Sequence, residues 1–205
     1  MCFYKEEVSR NLLTLSGMLG QLKKIRSDFQ MKNNSKLVLL AQGGMIAALY
    51  TVATTVLAPL SFANIQFRAS EALTMMPIFA VSSIPGLTVG CILSNAIGVA
   101  TGANIAGWLD VLLGSLATLL AAISTRMLRK IEFFGIPFLS LLPPVIFNAF
   151  IVGGELSVVC DLPFWICALE VGAGELGVML ILGIPLILAL KKTTFFADGT
   201  VKLKS

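Results

Sequence analysis

The sequence contains no histidine, and only 13% of its 205 residues are charged. The first absence removes the commonest general base and the commonest metal ligand. The second excludes an ordinary soluble domain, in which about a quarter of the residues carry charge. The four cysteines, Cys2, Cys91, Cys160 and Cys167, form no Cys-x-x-Cys pair, so neither a zinc site nor a redox motif is indicated. No Gly-x-x-x-x-Gly-Lys-Ser/Thr pattern occurs, and the chain therefore shows no ATP site of its own. We expect no metal and no cofactor.

Apolar residues take up the room. They make 57% of the chain, and the mean hydropathy is +0.91. Two stretches, Leu37–Phe67 and Ala72–Leu109, hold no charge at all. A spanning helix needs roughly 20 apolar residues, so the first stretch predicts a helix between Leu37 and Pro59 and a loop over 60–67. The second is broken by Ser82-Ser83-Ile84-Pro85-Gly86, because proline and glycine together mark a turn. It predicts short helices over about 70–82 and 85–100. Further helices are expected over about 108–127, 137–159 and 163–190, with Pro143-Pro144 kinking the fifth. The fold class is thus an all-α integral membrane bundle of six short transmembrane helices.

The net charge of +4 does not point to nucleic acid, because the bases flank apolar runs. Lysine and arginine favour the cytoplasmic side. With the N-terminus inside, that side holds Lys23, Lys24, Arg26, Lys32 and Lys36, then Arg126, Arg129 and Lys130, then Lys191 and Lys192. The opposite side holds Arg68. Both termini are expected in the cytoplasm of a multi-pass plasma-membrane protein. Residues 1–36 read either as a cytoplasmic extension or as the product of an upstream start codon. Residues 37–192 form the membrane domain and 193–205 a cytoplasmic tail.

The acids fall on the other half of this topology. Glu71, Asp110, Glu155 and Asp161 are expected near the outer face. Glu170 lies roughly 10 Å and Glu175 roughly 18 Å below the last outer turn at the helical rise. Asn148 is expected at the depth of Glu175, seven residues from Glu155 and on the same face. A carboxylate at membrane depth costs several kcal/mol unless paired or wetted, and such residues are functional by default. Arg68 cannot neutralise them all. The pattern predicts an outward-facing polar pocket for a cation or a donor-rich ligand, formed by Gln66, Arg68, Glu71, Asp110, Asn148, Glu155, Glu170 and Glu175. Trp165 would be a flat face for a heterocycle, or else part of an aromatic belt with Trp108. Arg68 and Glu71, three apart, could meet and fix the first outer loop. On the first helix Gly43 and Ala47, and Gly44 and Ala48, repeat every four residues. This small-xxx-small spacing permits close approach of another helix, and the four are candidates for a partner interface.

From Gln66-Phe67-Arg68-Ala69-Ser70-Glu71-Ala72-Leu73 onward, the sequence resembles the QueT family of queuosine-precursor transporters. These are substrate-binding S components of energy-coupling factor (ECF) transporters, which are ABC-type importers. Matching stretches are Ile84-Pro85-Gly86-Leu87, Gly114-Ser115-Leu116-Ala117-Thr118-Leu119, Leu142-Pro143-Pro144, Asn148-Ala149, Leu162-Pro163-Phe164-Trp165 and Gly174-Glu175-Leu176. The resemblance covers about residues 37–192. It implies a six-helix subunit that captures a deazaguanine base such as pre-queuosine from outside. A transmembrane coupling subunit and two cytoplasmic ATPases would then power its uptake. The alternatives from the residues alone are an ion-coupled secondary carrier of a small cationic or heterocyclic solute, though no internal repeat is found, and an intramembrane enzyme, for which the usual acid–base and metal equipment is missing.

Overall fold

A computed structural model describes residues 36–62, 67–133 and 135–191. The chain divides into two units, Met1–Ala41 and Gln42–Ser205. Of the first, only the opening turns of a helix, residues 36–41, are described, so most of the predicted extension lies outside the described residues. The same holds for Gln66, Lys192 and the tail 193–205. All contacts below lie within the second unit.

Five helices are long and apolar enough to cross a membrane: α1 Lys36–Val56, α2 Ser83–Ala100, α3 Trp108–Leu128, α4 Phe138–Cys160 and α5 Phe164–Leu190. Their boundaries follow the charge-free runs and the proline and glycine breaks of the sequence. Among the described residues five, not six, meet that test. The expected helix over 70–82 is instead a 3-10 helix, Ala69–Ile78, with only Ala69 and Leu73 short of full burial. Pro77 near its end has no N–H to continue the ladder. At about 2.0 Å per residue, ten residues still extend roughly 20 Å. The segment runs beside α3 for most of its length. Arg68, just before it, pairs with Asp110 at the start of α3, and the Arg126 Nη1 near the end of α3 donates to the Pro77 carbonyl at 2.8 Å.

Small residues set the helix spacing. A Cβ on Gly86 of α2 would lie 2.5 Å from the Gly43 carbonyl oxygen, and one on Gly90 would lie 2.9 Å from the Ala47 carbonyl oxygen. The α1 and α2 backbones therefore touch, as small-xxx-small spacing allows. Thr51 Oγ1 donates across this seam to the Gly90 carbonyl at 3.2 Å. Gly153 of α4 meets Ala168 of α5 in the same way, at 2.7 Å. Asp161 closes α4 in the left-handed region, φ 53°, and Ser157 Oγ bonds the Leu162 carbonyl at 2.7 Å across the turn into α5.

The long helices are not uniform. The kink expected at Pro143-Pro144 is a change of helix type. A 3-10 turn, Phe138–Leu141, leads into an α stretch whose first turn holds both prolines, where a missing N–H costs little. The irregularity lies beyond them, in a π turn at Asn148–Val152. A second π turn, Met179–Gly183, precedes Pro185 in α5. At the basic end Lys191 Nζ reaches Glu132 Oε1 at 3.3 Å and also bonds the Gly135 carbonyl. Arg126, Arg129, Lys130 and Lys191 thus gather at one end of the bundle, with Arg68 and Asp110 at the other.

Candidate functional site

Arg68 is extended, not helical, at φ −86° and ψ 97°. Its side chain therefore does not follow the helical register that would set it over Glu71. It turns into the protein, 2% exposed, and forms a buried ion pair with Asp110. Its Nε donates to the Ser61 carbonyl at 3.3 Å, and its guanidinium sits 5.4 Å from the Phe62 ring centre. Asp110 Oδ2 also accepts from Asn104 Nδ2 at 2.9 Å, and Asn95 Nδ2 donates to the Asp110 carbonyl at 2.7 Å. Asn104 Oδ1 caps the loop by accepting from the Ala106 N–H at 3.0 Å. Gly114, one turn along α3, leaves the space that Asp110 and Asn95 occupy. The result is a latch that pins the segment before the 3-10 helix to the ends of α2 and α3.

Glu71 goes elsewhere. It is fully buried, and its Oε1 accepts hydrogen bonds from the Tyr50 hydroxyl of α1 and, at 3.3 Å, from Thr118 Oγ1 of α3. Thr54 Oγ1, one turn beyond Tyr50, reaches the neighbouring Ser70 Oγ at 2.6 Å. Thr118 also approaches Cys91 Sγ at 3.4 Å, and Asn95 Nδ2 approaches the same sulfur at 3.6 Å. A polar chain thus runs from Tyr50 through Glu71, Thr118, Cys91 and Asn95 to Asp110 and Arg68, inside an apolar bundle.

Three further predicted residues are buried and incompletely bonded. Both carboxylate oxygens of Glu155, Oε2 of Glu175 and Nδ2 of Asn148 have no hydrogen-bond partner among the described residues, and neither does Oε2 of Glu71. Val178, three residues beyond Glu175, packs in one core cluster with Ala72, next to Glu71, and Leu156, next to Glu155, packs in another with Ala117, next to Thr118. Among the described residues four buried carboxylates thus share the bundle with one buried guanidinium, which is already paired. The π turn at Asn148–Val152 lies between Asn148 and Glu155. Its wider turn rotates the two out of the shared face that plain helical spacing gives.

The remaining predicted residues fall outside this group. Trp165 is 66% exposed and packs edge-on against Phe164 at 5.0 Å, with Phe150 at 6.4 Å. Trp108 is 68% exposed. Glu170 is half-buried beside Leu156, Cys160, Leu162 and Cys167. Gly43 and Ala47 are consumed by the packing of α1 on α2, whereas Gly44 and Ala48 are exposed.

The family model described as QueT transporter matches residues 40–192. The chain belongs to the QueT transporter family. It is a multi-pass protein of the plasma membrane. Over 77 residues, 37% of this chain, it is 36% identical to the protein named Queuosine precursor transporter QueT from Lactococcus lactis subsp. cremoris. That alignment spans 41% of the relative's length. No solved structure matches. In this QueT family member the sequence pointed to the acids but not to the neutral side chains that hold them. Tyr50 and Thr118 on Glu71, and Asn95 and Asn104 on Asp110, were missed. The available signal was a phenol and a carboxamide inside charge-free apolar runs, where a polar tip needs a partner.

Proposed function

We propose that this chain is the S component of an ECF-type importer. It takes a queuosine precursor, a deazaguanine base such as pre-queuosine, from outside and carries it with a transmembrane coupling subunit and two ATPases. One observation supports this reading above others: within a QueT family chain, buried carboxylates keep unpartnered oxygens. Burying a carboxylate without partners is costly, and a ligand rich in N–H groups supplies them. A guanine-type edge presents adjacent N–H donors, which a carboxylate accepts well. The relative's name gives the ligand class.

In this reading the 3-10 segment is the sixth crossing. It is too short to stand alone in lipid, but α3 connects the same two levels beside it, and its backbone is surrounded by protein. Six crossings return both termini to the basic, cytoplasmic side. Gly44 and Ala48, on the exposed face of α1, are the docking face for the coupling subunit.

The test is reconstitution. The purified chain in liposomes should bind labelled pre-queuosine and accumulate none. Adding the coupling subunit, the ATPases and ATP should start uptake. Accumulation by the chain alone under a proton or sodium gradient would replace this reading with an ion-coupled carrier. In the complete system Ala48→Leu should abolish uptake while leaving binding intact, and unimpaired assembly and uptake would remove the docking face.

A further inference from the structure

Within the site, the carboxylates are not equivalent. Glu71 is clamped. Tyr50 and Thr118 both donate to its Oε1, from two different helices, and its Oε2 is buried with no partner among the described residues. Glu175 on α5 is 2% exposed and its Oε2 also has no partner among the described residues; Val178, three residues on, packs in one core cluster with Ala72, the neighbour of Glu71. Two carboxylates so placed repel one another unless a positive group lies between them. Arg68 does not serve, because its guanidinium is held by Asp110, the Ser61 carbonyl and the Phe62 ring. Among the described residues of Gln42–Ser205, the other bases gather at the far end of the bundle: Arg126 bonds Pro77 and Lys191 bonds Glu132.

We infer that Glu71 and Glu175 form a subsite for a protonated amine on the ligand, and that Tyr50 and Thr118 are positioning residues that turn Glu71 Oε2 toward it. The inference rests on the deazaguanine reading and adds which part of the ligand meets which acids. An ammonium has several N–H donors and no acceptor, so one group can serve two carboxylate oxygens at once. It also balances charge in a site where the acids outnumber the guanidinium. Glu155, whose neighbour Leu156 packs in one cluster with Ala117 beside Thr118, remains for the heterocycle edge. Tyr50 adds something a plain packing residue would not. Its Cβ packs against Gly90 of α2, while its hydroxyl fixes the direction of the carboxylate.

The test compares two probes on the purified full chain: 7-aminomethyl-7-deazaguanine and the uncharged 7-methyl-7-deazaguanine. The native protein should prefer the aminomethyl probe by about tenfold or more, the scale of one charge-assisted hydrogen bond. Glu71→Gln and Glu175→Gln should bring that preference to within about threefold, with the methyl probe bound as before. Tyr50→Phe and Thr118→Val should each lower the preference severalfold. Combining Tyr50→Phe with Glu71→Gln should add nothing to Glu71→Gln alone. Equal binding of both probes by the native protein overturns the subsite and leaves the deazaguanine reading standing. Binding of neither overturns both. Loss of both probes in parallel in the Gln variants, or additive effects of Tyr50→Phe and Glu71→Gln, assigns these residues to packing and ends the inference.

Discussion

The latch around Arg68 and the acids around Glu175 are built from the same residue types in the same apolar bundle, yet they are finished differently. In the latch, Arg68 spends its donors on Asp110 and the Ser61 carbonyl, and Asp110 accepts again from Asn104. In the other group, among the described residues, Glu155 has neither oxygen bonded, and Glu71 and Glu175 each bury an unpartnered oxygen and form no ion pair. Buried polar groups are normally satisfied, and those that are not call for an explanation. The latch holds the protein's own loops through an ion pair, although Asp110 Oδ1 and Asn95 Oδ1 stay unpartnered among the described residues. Buried carboxylates without a charge partner are left for something that arrives. The distinction cannot be drawn from residue type, since both groups contain aspartate or glutamate at membrane depth.

The largest effect should come from opening the latch. Arg68→Ala leaves Asp110 buried without its charge partner, and losses of this kind run to about 3–5 kcal/mol. Thermal unfolding in detergent should show a large drop, and ligand binding should fail with it. A stable Arg68→Ala protein that merely binds weakly would transfer Arg68 from the latch to the ligand site.

Next in size are substitutions that overfill close approaches. Gly114→Ala places a methyl group against Asp110 Oδ1 and Asn95 Nδ2, and Ala47→Leu drives a side chain into the α1–α2 seam. Each should destabilise by about 1–3 kcal/mol, read by the same melting assay. Ala48→Leu, on the exposed face, should leave stability unchanged. Equal losses for Ala47→Leu and Ala48→Leu would mean that both sides of α1 are packed.

A smaller effect, and the one that most sharpens the comparison, is expected at Glu155. Glu155→Gln should fold as well as the native chain, because no hydrogen bond to a described residue is lost. Affinity for pre-queuosine should fall about tenfold, near 1.4 kcal/mol. Calorimetry on the purified variant measures both quantities. Reduced stability with unchanged affinity would place Glu155 on the structural side. The smallest effect is predicted at Trp165, whose ring is exposed against Phe164 and Phe150. Trp165→Ala should alter binding by less than about 0.5 kcal/mol, and a tenfold loss would bring the aromatic face back into the site.

Much of the fold was legible because the bilayer demands long apolar helices and proline and glycine interrupt them. The ends of α2, α3 and α4 fall within two residues of the sequence-based limits. The 3-10 segment was not legible, since its apolar run resembles any other short helix. Only the tertiary structure shows that it lies buried along α3, with Arg68 and Arg126 marking its two ends. Asn148 and Glu155 were assigned one face from their spacing, and a π turn that leaves no clear mark in the sequence rotates them apart.

The sequence by itself determined the solvent of this protein, the limits of five long helices, and which residues carry charge inside them. Those follow from local composition, because transferring a residue from water to hydrocarbon depends on that residue and few others. Only the tertiary structure decided which acid is paired and which is left open. Arg68 could have met Glu71 three residues away, but its extended backbone sends it to Asp110, 42 residues on. Glu71 instead meets Tyr50 and Thr118 from two other helices. Electrostatic partnership depends on separations of a few ångströms between distant parts of the chain, and these exist only once the helices have packed.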